Sequence, residues 1–378
     1  KDVLFGWHAN TQIPKFTGFH KYYMFTGDRA FLLAATNFWN IVKQNHTWVI
    51  GGNSTGEHFF SKKEFIDRML HISGPETCNS VNMLRLTEAL FMQQPDATKA
   101  AYYERTLFNH ILSAYDPVKG MCCYFTSMRP GHYRIYASRD SSFWCCGHTG
   151  LESPAKLGKF IYSHKVTNRH QEKDIRVNLF IPSQVTWKEK GLTLLQETEF
   201  PKEETTLLTI RAEKPVRTTV YLRYPSWSKK AEVLVNGKKV AVKQKPGSYI
   251  AITRDWKDND RISATYPMQI ALEATPDNPN KVALLYGPLV LAGERGTEDM
   301  QAPAPFSNPA LYNDYYTYNF HVPADLRTSL KVDMKHPERT LQRTGKELKF
   351  TTEQGDVIRP LYDLHHQRYV VYWDLQSK

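Results

Sequence analysis

Residues 174–187 read DIRVNLFIPSQVTW, and here the periodicity of the chain changes. Ile175, Val177 and Leu179 alternate with Asp174, Arg176 and Asn178, the pattern of a strand with one buried face. Upstream the spacing is helical. In DRAFLLAATNFWNIV (28–42), Phe31, Ala35, Phe38, Trp39 and Val42 share one face. In AAYYERTLFNHILSAY (100–115), Tyr103, Leu107, Phe108, Ile111, Leu112 and Tyr115 do the same. TCNSVNMLRLTEALF (77–91) is apolar on more than one side, which predicts a helix buried among others. ESPAKLGKFIYSH (152–164) predicts a helix start, with Ser153 as N-cap and Pro154 at the first helical position. Downstream, TTVYLRYPSW, AEVLVNG, GSYIAITRDW and ISATYPMQIALEA alternate or form short apolar runs between Gly, Pro and Asn-Gly turns. They predict a β-sandwich. KVALLYGPLVLAG (281–293), ELKFTTE and QRYVVYWDL predict a second β-domain, with a loop-like stretch from 296 to about 325. The expected class is α plus β and multidomain: helices over 1–167, one β-sandwich over 168–275 and another over 276–378.

At 378 residues the chain has room for two or three domains. Its 21 Tyr, 19 Phe and 8 Trp suit a globular protein, and sugar-binding enzymes use such rings as stacking faces. The net charge of +11 is scattered, as in Lys238, Lys239, Lys243 and Lys245, and reads as a solvated basic face. No recognised motif accompanies it, so no nucleic-acid partner is expected. No apolar run approaches the ~20 residues of a membrane span, and no signal peptide is visible. The chain has no initiator Met, and its opening KDVLFGWHANTQ reads like the middle of a protein.

The five cysteines all lie between 78 and 146. A disulfide framework would spread them; clustering fits a metal or catalytic site. FWCCGHTG (143–150) places Cys145 and Cys146 side by side before one predicted helix. Glu76-Thr77-Cys78 precedes another. Three thiols and a carboxylate are a zinc-type ligand set, and helix N-termini favour thiolate. The plain alternative is three inert buried cysteines and a surface glutamate. Cys122-Cys123, in MCCYFTSM, reads as strand packing or as a competing ligand set. VIGGNSTGEHFF (49–60) is a Gly-rich turn carrying Glu57 and His58, and a carboxylate on such a turn can serve as a general acid. HANTQIPKF supplies His8 and Gln12. His8 as a structural histidine, and Tyr124 as a core tyrosine with a satisfied hydroxyl, stand as alternatives.

Together, WHANTQIPK, GGNSTGE, ETCNSVNML and FWCCGHTGLES resemble the β-L-arabinofuranosidase group, glycoside hydrolase family 127 and the related family 146. LRYPSW, VNGKKV, GSYIAITRDW, YPMQIALEA, ALLYGPLVLAGE and PLYDLHHQRYVVYW extend the resemblance from His8 to Trp373. It implies an (α/α)6 barrel, here apparently only its C-terminal half, followed by two β-sandwiches. It implies Zn2+ held by Glu76, Cys78, Cys145 and Cys146, with Cys145 as nucleophile and Glu57 as general acid/base. His8 and Tyr124 match positions lining the sugar pocket, and Glu104 an acidic position of less defined role. The implied reaction is retaining hydrolysis releasing β-linked L-arabinofuranose from plant glycans, the substrate being an oligosaccharide or glycan. Bacterial periplasmic or extracellular location is favoured by the resemblance alone.

Three features depart from the family pattern. The chain is expected to start partway through the barrel, so that a separate N-terminal chain would be needed to complete it, unless the chain is a fragment; a homo-oligomer also stays open. His148 stands where relatives often carry Gly, and is expected to reach the pocket and alter substrate choice. Cys122-Cys123 is outside the family motif. The same machinery acting on another pectic furanoside is the nearest alternative. A non-catalytic carbohydrate-binding or scaffold protein with a structural zinc site is the alternative of another class. A redox role for Cys145-Cys146 lacks a thioredoxin-like CxxC.

Overall fold

The computed structural model describes residues 1–137, 144–164, 174–300, 322–323, 325–333 and 336–377. The 167/168 boundary, Phe143 and residues 301–321 and 324 of the expected loop lie outside them. Two compact units are drawn from the chain: one from 1–90, 105–154 and 270–378, the other from 91–104 and 155–269.

Helix α1 (Ala9–Thr26) ends at Gly27, whose φ of 74° lets the chain turn back. Asp28 then caps α2 (Arg29–Asn45), its Oδ1 accepting from the Ala30 N–H at 2.9 Å. The face of α2 that periodicity selects is the buried one: Ala35, Phe38, Trp39 and Val42. Trp39 Nε1 donates to Thr87 Oγ1 at 2.8 Å, tying α2 to α4 (Thr77–Gln93). Cys78, Val81, Met83, Leu84, Leu86 and Leu90 of α4 are all buried, as a helix apolar on several sides requires. A short helix α3 (Phe65–Met69) lies between.

Helix α5 (Ala97–Thr106) does not continue as one regular helix. It widens into a π turn over Leu107–Ile111 and closes with a 3-10 turn over Leu112–Ala114. Buried Asn109 uses this turn to bond outside the helix: Nδ2 donates to the Pro288 carbonyl and Oδ1 accepts from the Val290 N–H. Helix α6 (Cys145–Lys156) corrects the expected start at Ser153. It begins at the cysteine pair, and Pro154 lies inside it. Pro154 has no N–H for the Gly150 carbonyl one turn back, and the Tyr115 hydroxyl donates to that oxygen instead, at 2.5 Å.

The first strand begins at residue 162, at the end of the stretch expected to be helical, and the others follow from 174, where the period changes. In the second unit, β1 (Tyr162–His164), β2 (Asp174–Val177), β6 (Val216–Tyr224) and β9 (Ser248–Trp256) form one sheet in that order. The other sheet runs β3 (Ser183–Trp187), β4 (Leu192–Thr198), β5 (Thr205–Ala212), β10 (Arg261–Thr265), β7 (Glu232–Val235) and β8 (Lys238–Val240). ISATYPMQIALEA splits: its first part is β10, and its last residues form β11 (Ile270–Thr275) in the first unit.

There, nine strands make one sheet. Its path is β14 (Ser329–Val332), β19 (Tyr372–Ser377), β12 (Asn278–Tyr286), β13 (Leu289–Glu294), β17 (Val357–Pro360), β16 (Phe350–Thr351) and β15 (Gln342–Arg343). β11 adds to β12, and β18 (Tyr369–Val370) to β13. The sheet buries Ala283, Leu285, Val290, Ala292 and Tyr372 against Trp48, Val49, Ile50, Phe60 and Phe65. Each Val, Leu, Ile or Phe so buried contributes about 1.5–3 kcal/mol. The Val49 N–H also donates to the Tyr372 hydroxyl at 2.9 Å. A C-terminal sheet thus braces the Gly-rich turn that carries Glu57.

Candidate active site and metal centre

The Gly-rich turn is tightly specified. Gly51 has φ of 87°, and a Cβ there would lie 2.2 Å from Thr106 Oγ1, so only glycine fits. Ser54 and Glu57 also adopt left-handed backbone, at φ 75° and 70°. Non-glycine residues are held there only by their surroundings. Asn79 Nδ2 donates to Ser54 Oγ at 2.7 Å, and Trp48 Nε1 to the Ser54 carbonyl at 2.9 Å. The N-terminal segment pairs with the turn: the Ala9 N–H donates to the Glu57 carbonyl and the Phe59 N–H to the Trp7 carbonyl.

This pairing brings His8 Nε2 to 3.4 Å from Glu57 Oε2. His8 caps α1, with Nδ1 accepting the Thr11 N–H. The ring proton is therefore on Nε2, facing the carboxylate. The Tyr124 hydroxyl donates to Glu57 Oε1. Burial and the Glu57 carboxylate push the Tyr124 hydroxyl well above its ordinary range, so it stays a donor.

Tyr124 belongs to an extended stretch that also sets the metal-type cluster. The Thr77 N–H donates to the Tyr124 carbonyl at 3.0 Å, and Thr77 Oγ1 to that of Cys123 at 2.8 Å. Glu76 and Phe125 form a β-bridge. Cys78 is thereby fixed in the first turn of α4, while Cys145 and Cys146 open α6. Ligand atoms of Glu76, Cys78, Cys145 and Cys146 all lie within 4.8 Å of one another. Cys146 Sγ is 3.3 Å from Cys78 Sγ, and Cys145 Sγ is 3.5 Å from Glu76 Oε1 and 3.7 Å from the Tyr124 hydroxyl. Three of the four are buried; Cys145 alone is exposed.

Thiols of Cys146 and Cys78 hold the Cys145 sulfur well below the ordinary thiol range. Burial pushes Cys146 up, and the bond to Cys145 does the same to Cys78. Burial, then the charges of Cys145 and Glu57, push Glu76 up to about 9. The four acidic groups thus oppose one another's ionisation. Glu76 Oε2 is buried with no hydrogen-bond partner among the described residues. A soft divalent cation would answer both facts, and three thiolates with a carboxylate are a zinc-type donor set.

Of the residues singled out in the sequence, His8, Glu57, Tyr124, Glu76, Cys78, Cys145 and Cys146 come together. His148 is exposed on α6 and bonds the Trp144 carbonyl at 3.2 Å. Glu104 is buried in the second unit, where Arg223 and Trp227 Nε1 bond its two oxygens. Cys122 Sγ donates to the Cys146 carbonyl at 3.2 Å, and Cys123 is buried with its thiol pushed up by burial; neither is in the cluster. Sequence reading missed Thr149, whose hydroxyl is 3.3 Å from Cys78 Sγ, and Asn10, which donates to Glu76. Trp144, whose ring stands edge-on to Tyr124 at 5.8 Å, was visible only as part of a motif.

Residues 1–159 match the family model of the β-L-arabinofuranosidase catalytic domain of glycoside hydrolase family 127, and 174–268 that of its middle domain. Residues 271–375 match a domain of unknown function. No curated protein matches the sequence. Among solved structures, a family 127 β-L-arabinofuranosidase from Geobacillus stearothermophilus T6 has 20% identity and a TM-score of 0.74. It matches over 98% of this chain and 60% of its own. Another family 127 β-arabinofuranosidase has 20% identity and a TM-score of 0.75 over the same shares. A glycoside hydrolase has 18% and 0.72, over 98% and 66%. The chain thus spans about three-fifths of the length of the first of these structures and shares its fold. With two models of one family matched in chain order, the chain belongs to glycoside hydrolase family 127.

Proposed function

We propose that this chain carries the active centre of a retaining glycosidase that releases β-linked L-arabinofuranose, with Cys145 as nucleophile and Glu57 as acid/base. One observation carries the reading: the Tyr124 hydroxyl touches both the Glu57 carboxylate and, at 3.7 Å, the Cys145 sulfur. Acid/base and nucleophile then stand 3.7 Å plus one hydrogen bond apart at most, compatible with the about 5–5.5 Å of retaining enzymes. Exposure of Cys145 beside three buried partners also favours catalysis over a structural metal site, which would be closed.

In the first step the Cys145 thiolate attacks the anomeric carbon, and protonated Glu57 gives its proton to the departing glycosidic oxygen. A thioglycoside results. In the second, the Glu57 carboxylate takes a proton from water, the water oxygen bonds the same carbon, and the thiolate leaves. Two inversions give retention. His8 and Tyr124 hold the Glu57 carboxylate in place for both transfers. Zinc held by Glu76, Cys78, Cys145 and Cys146 would supply the positive charge that keeps these groups ionised. The helices are proposed as part of an (α/α)6 barrel and the strands as two β-sandwiches, divided at 167/168 and 275/276. The gap between the first two matched models supports the first boundary, whereas the start of the third at 271 and the pairing of β11 with β12 favour a second boundary near 270.

The test is release of L-arabinose from an aryl β-L-arabinofuranoside, with the product anomer followed by NMR. The parent should retain configuration, and Glu57→Gln should lose turnover while still binding the sugar. Inversion, or full turnover in Glu57→Gln, would remove the mechanism; turnover of a different furanoside alone would change only the sugar.

A further inference from the structure

A chain of side chains runs from the surface to the metal-type cluster and takes no part in the chemistry above. The Glu152 carboxylate accepts from Arg85 Nη2. Arg85 Nη1 donates to Asn82 Oδ1 at 3.1 Å. Asn82 Nδ2 donates to Asn10 Oδ1 at 2.7 Å. Asn10 Nδ2 donates to Glu76 Oε1 at 3.4 Å.

The direction of this relay is fixed at both ends. A guanidinium only donates, so Asn82 must turn its oxygen to Arg85 and its NH2 to Asn10. Asn10 must then turn its own NH2 to Glu76. Neither amide can flip without setting two acceptors or two donors face to face. The links also join the elements of the site: Asn10 is in α1, Asn82 and Arg85 are in α4, and Glu152 is in α6, which opens with Cys145 and Cys146. Successive aligned bonds polarise one another, so the Arg85 charge strengthens the dipole delivered at Glu76.

We infer that Asn10, Asn82 and Arg85 are positioning residues: they orient the Glu76 carboxylate toward the thiols. The inference rests on the metal reading of the cluster. Outer partners of this kind typically change metal affinity about 10–100-fold.

The test is zinc affinity of the full chain, by competition with a chromogenic chelator, beside the melting temperature of each metal-free form. Asn82→Asp keeps the shape and still accepts from Arg85, yet it cannot donate to Asn10. It should bind zinc about tenfold more weakly with unchanged metal-free melting. Arg85→Met, at the partly exposed end, should weaken binding by a smaller factor and decides the matter alone if Asn82→Asp does not fold. Parental affinity in the folded variants overturns the relay while leaving the metal site standing. A loss of affinity matched by a loss of metal-free melting also overturns it, as general loosening. A parent that takes up no zinc overturns the metal reading and the relay with it.

Discussion

At the scale of single residues the site separates by exposure. Cys78 and Cys146 are enclosed, Cys145 is open, and all three belong to one charge-sharing group. Cys145→Ser should therefore keep the fold and lose about 10³-fold or more in kcat, since a serine hydroxyl stays protonated and ligates poorly. Far-UV circular dichroism and steady-state rates check this; a rate within tenfold of the parent would exclude Cys145 as nucleophile. Of the seven clustered side chains, the three cysteines, Glu76 and Glu57 were legible from the chemistry of their short motifs, and His8 and Tyr124 only through the family resemblance. Asn10 was not, although HANTQ was in view. Its role depends on α1 lying beside α4, which no local pattern encodes. His148, three residues beyond Cys145, is exposed and bonds the Trp144 carbonyl, a contact its motif does not announce.

At the scale of elements, periodicity located the strands of the β region and the buried faces of α2 and α4, since both follow from side-chain spacing alone. It failed where tertiary partners stand in for backbone ones. Ser153-Pro154 has the form of a helix start, yet α6 passes through it because Tyr115 serves the Gly150 carbonyl that Pro154 leaves unserved. Tyr115→Phe should destabilise the chain by about 1–2 kcal/mol by stranding that carbonyl. Pro154→Ala should recover much of the loss in the Tyr115→Phe background, by restoring the N–H, and little in the parent. A double-mutant cycle in urea measures this, and additive effects would refute the substitution of one donor for the other.

At the scale of the whole molecule, the unit that holds the site is assembled from three stretches of chain. His110, at its interior, bonds Ser80 Oγ through Nδ1, and burial depresses its pKa to about 3. Unfolded, it titrates near 6.5. Between these values the unfolded chain holds the extra proton, so stability rises with pH and is lost on acidification. Below about pH 6.5 this residue should cost about 1.4 kcal/mol per pH unit. Urea midpoints from pH 7 to 5 should show a slope that His110→Gln reduces by that amount; an unchanged slope would mean the ring is already charged when folded. The helical and β regions were legible along the chain, but the joining of residues 48–65 to a sheet ending at 377 was not, because long-range pairing leaves no local trace. That pairing sets a timetable. Val49 and its Tyr372 partner are 323 positions apart. At about 5–20 residues per second, a ribosome adds the second roughly 15–65 s after the first. For that interval the nascent chain carries Trp48, Phe60 and Phe65 without the sheet they pack on, and only their contacts with one another shelter them.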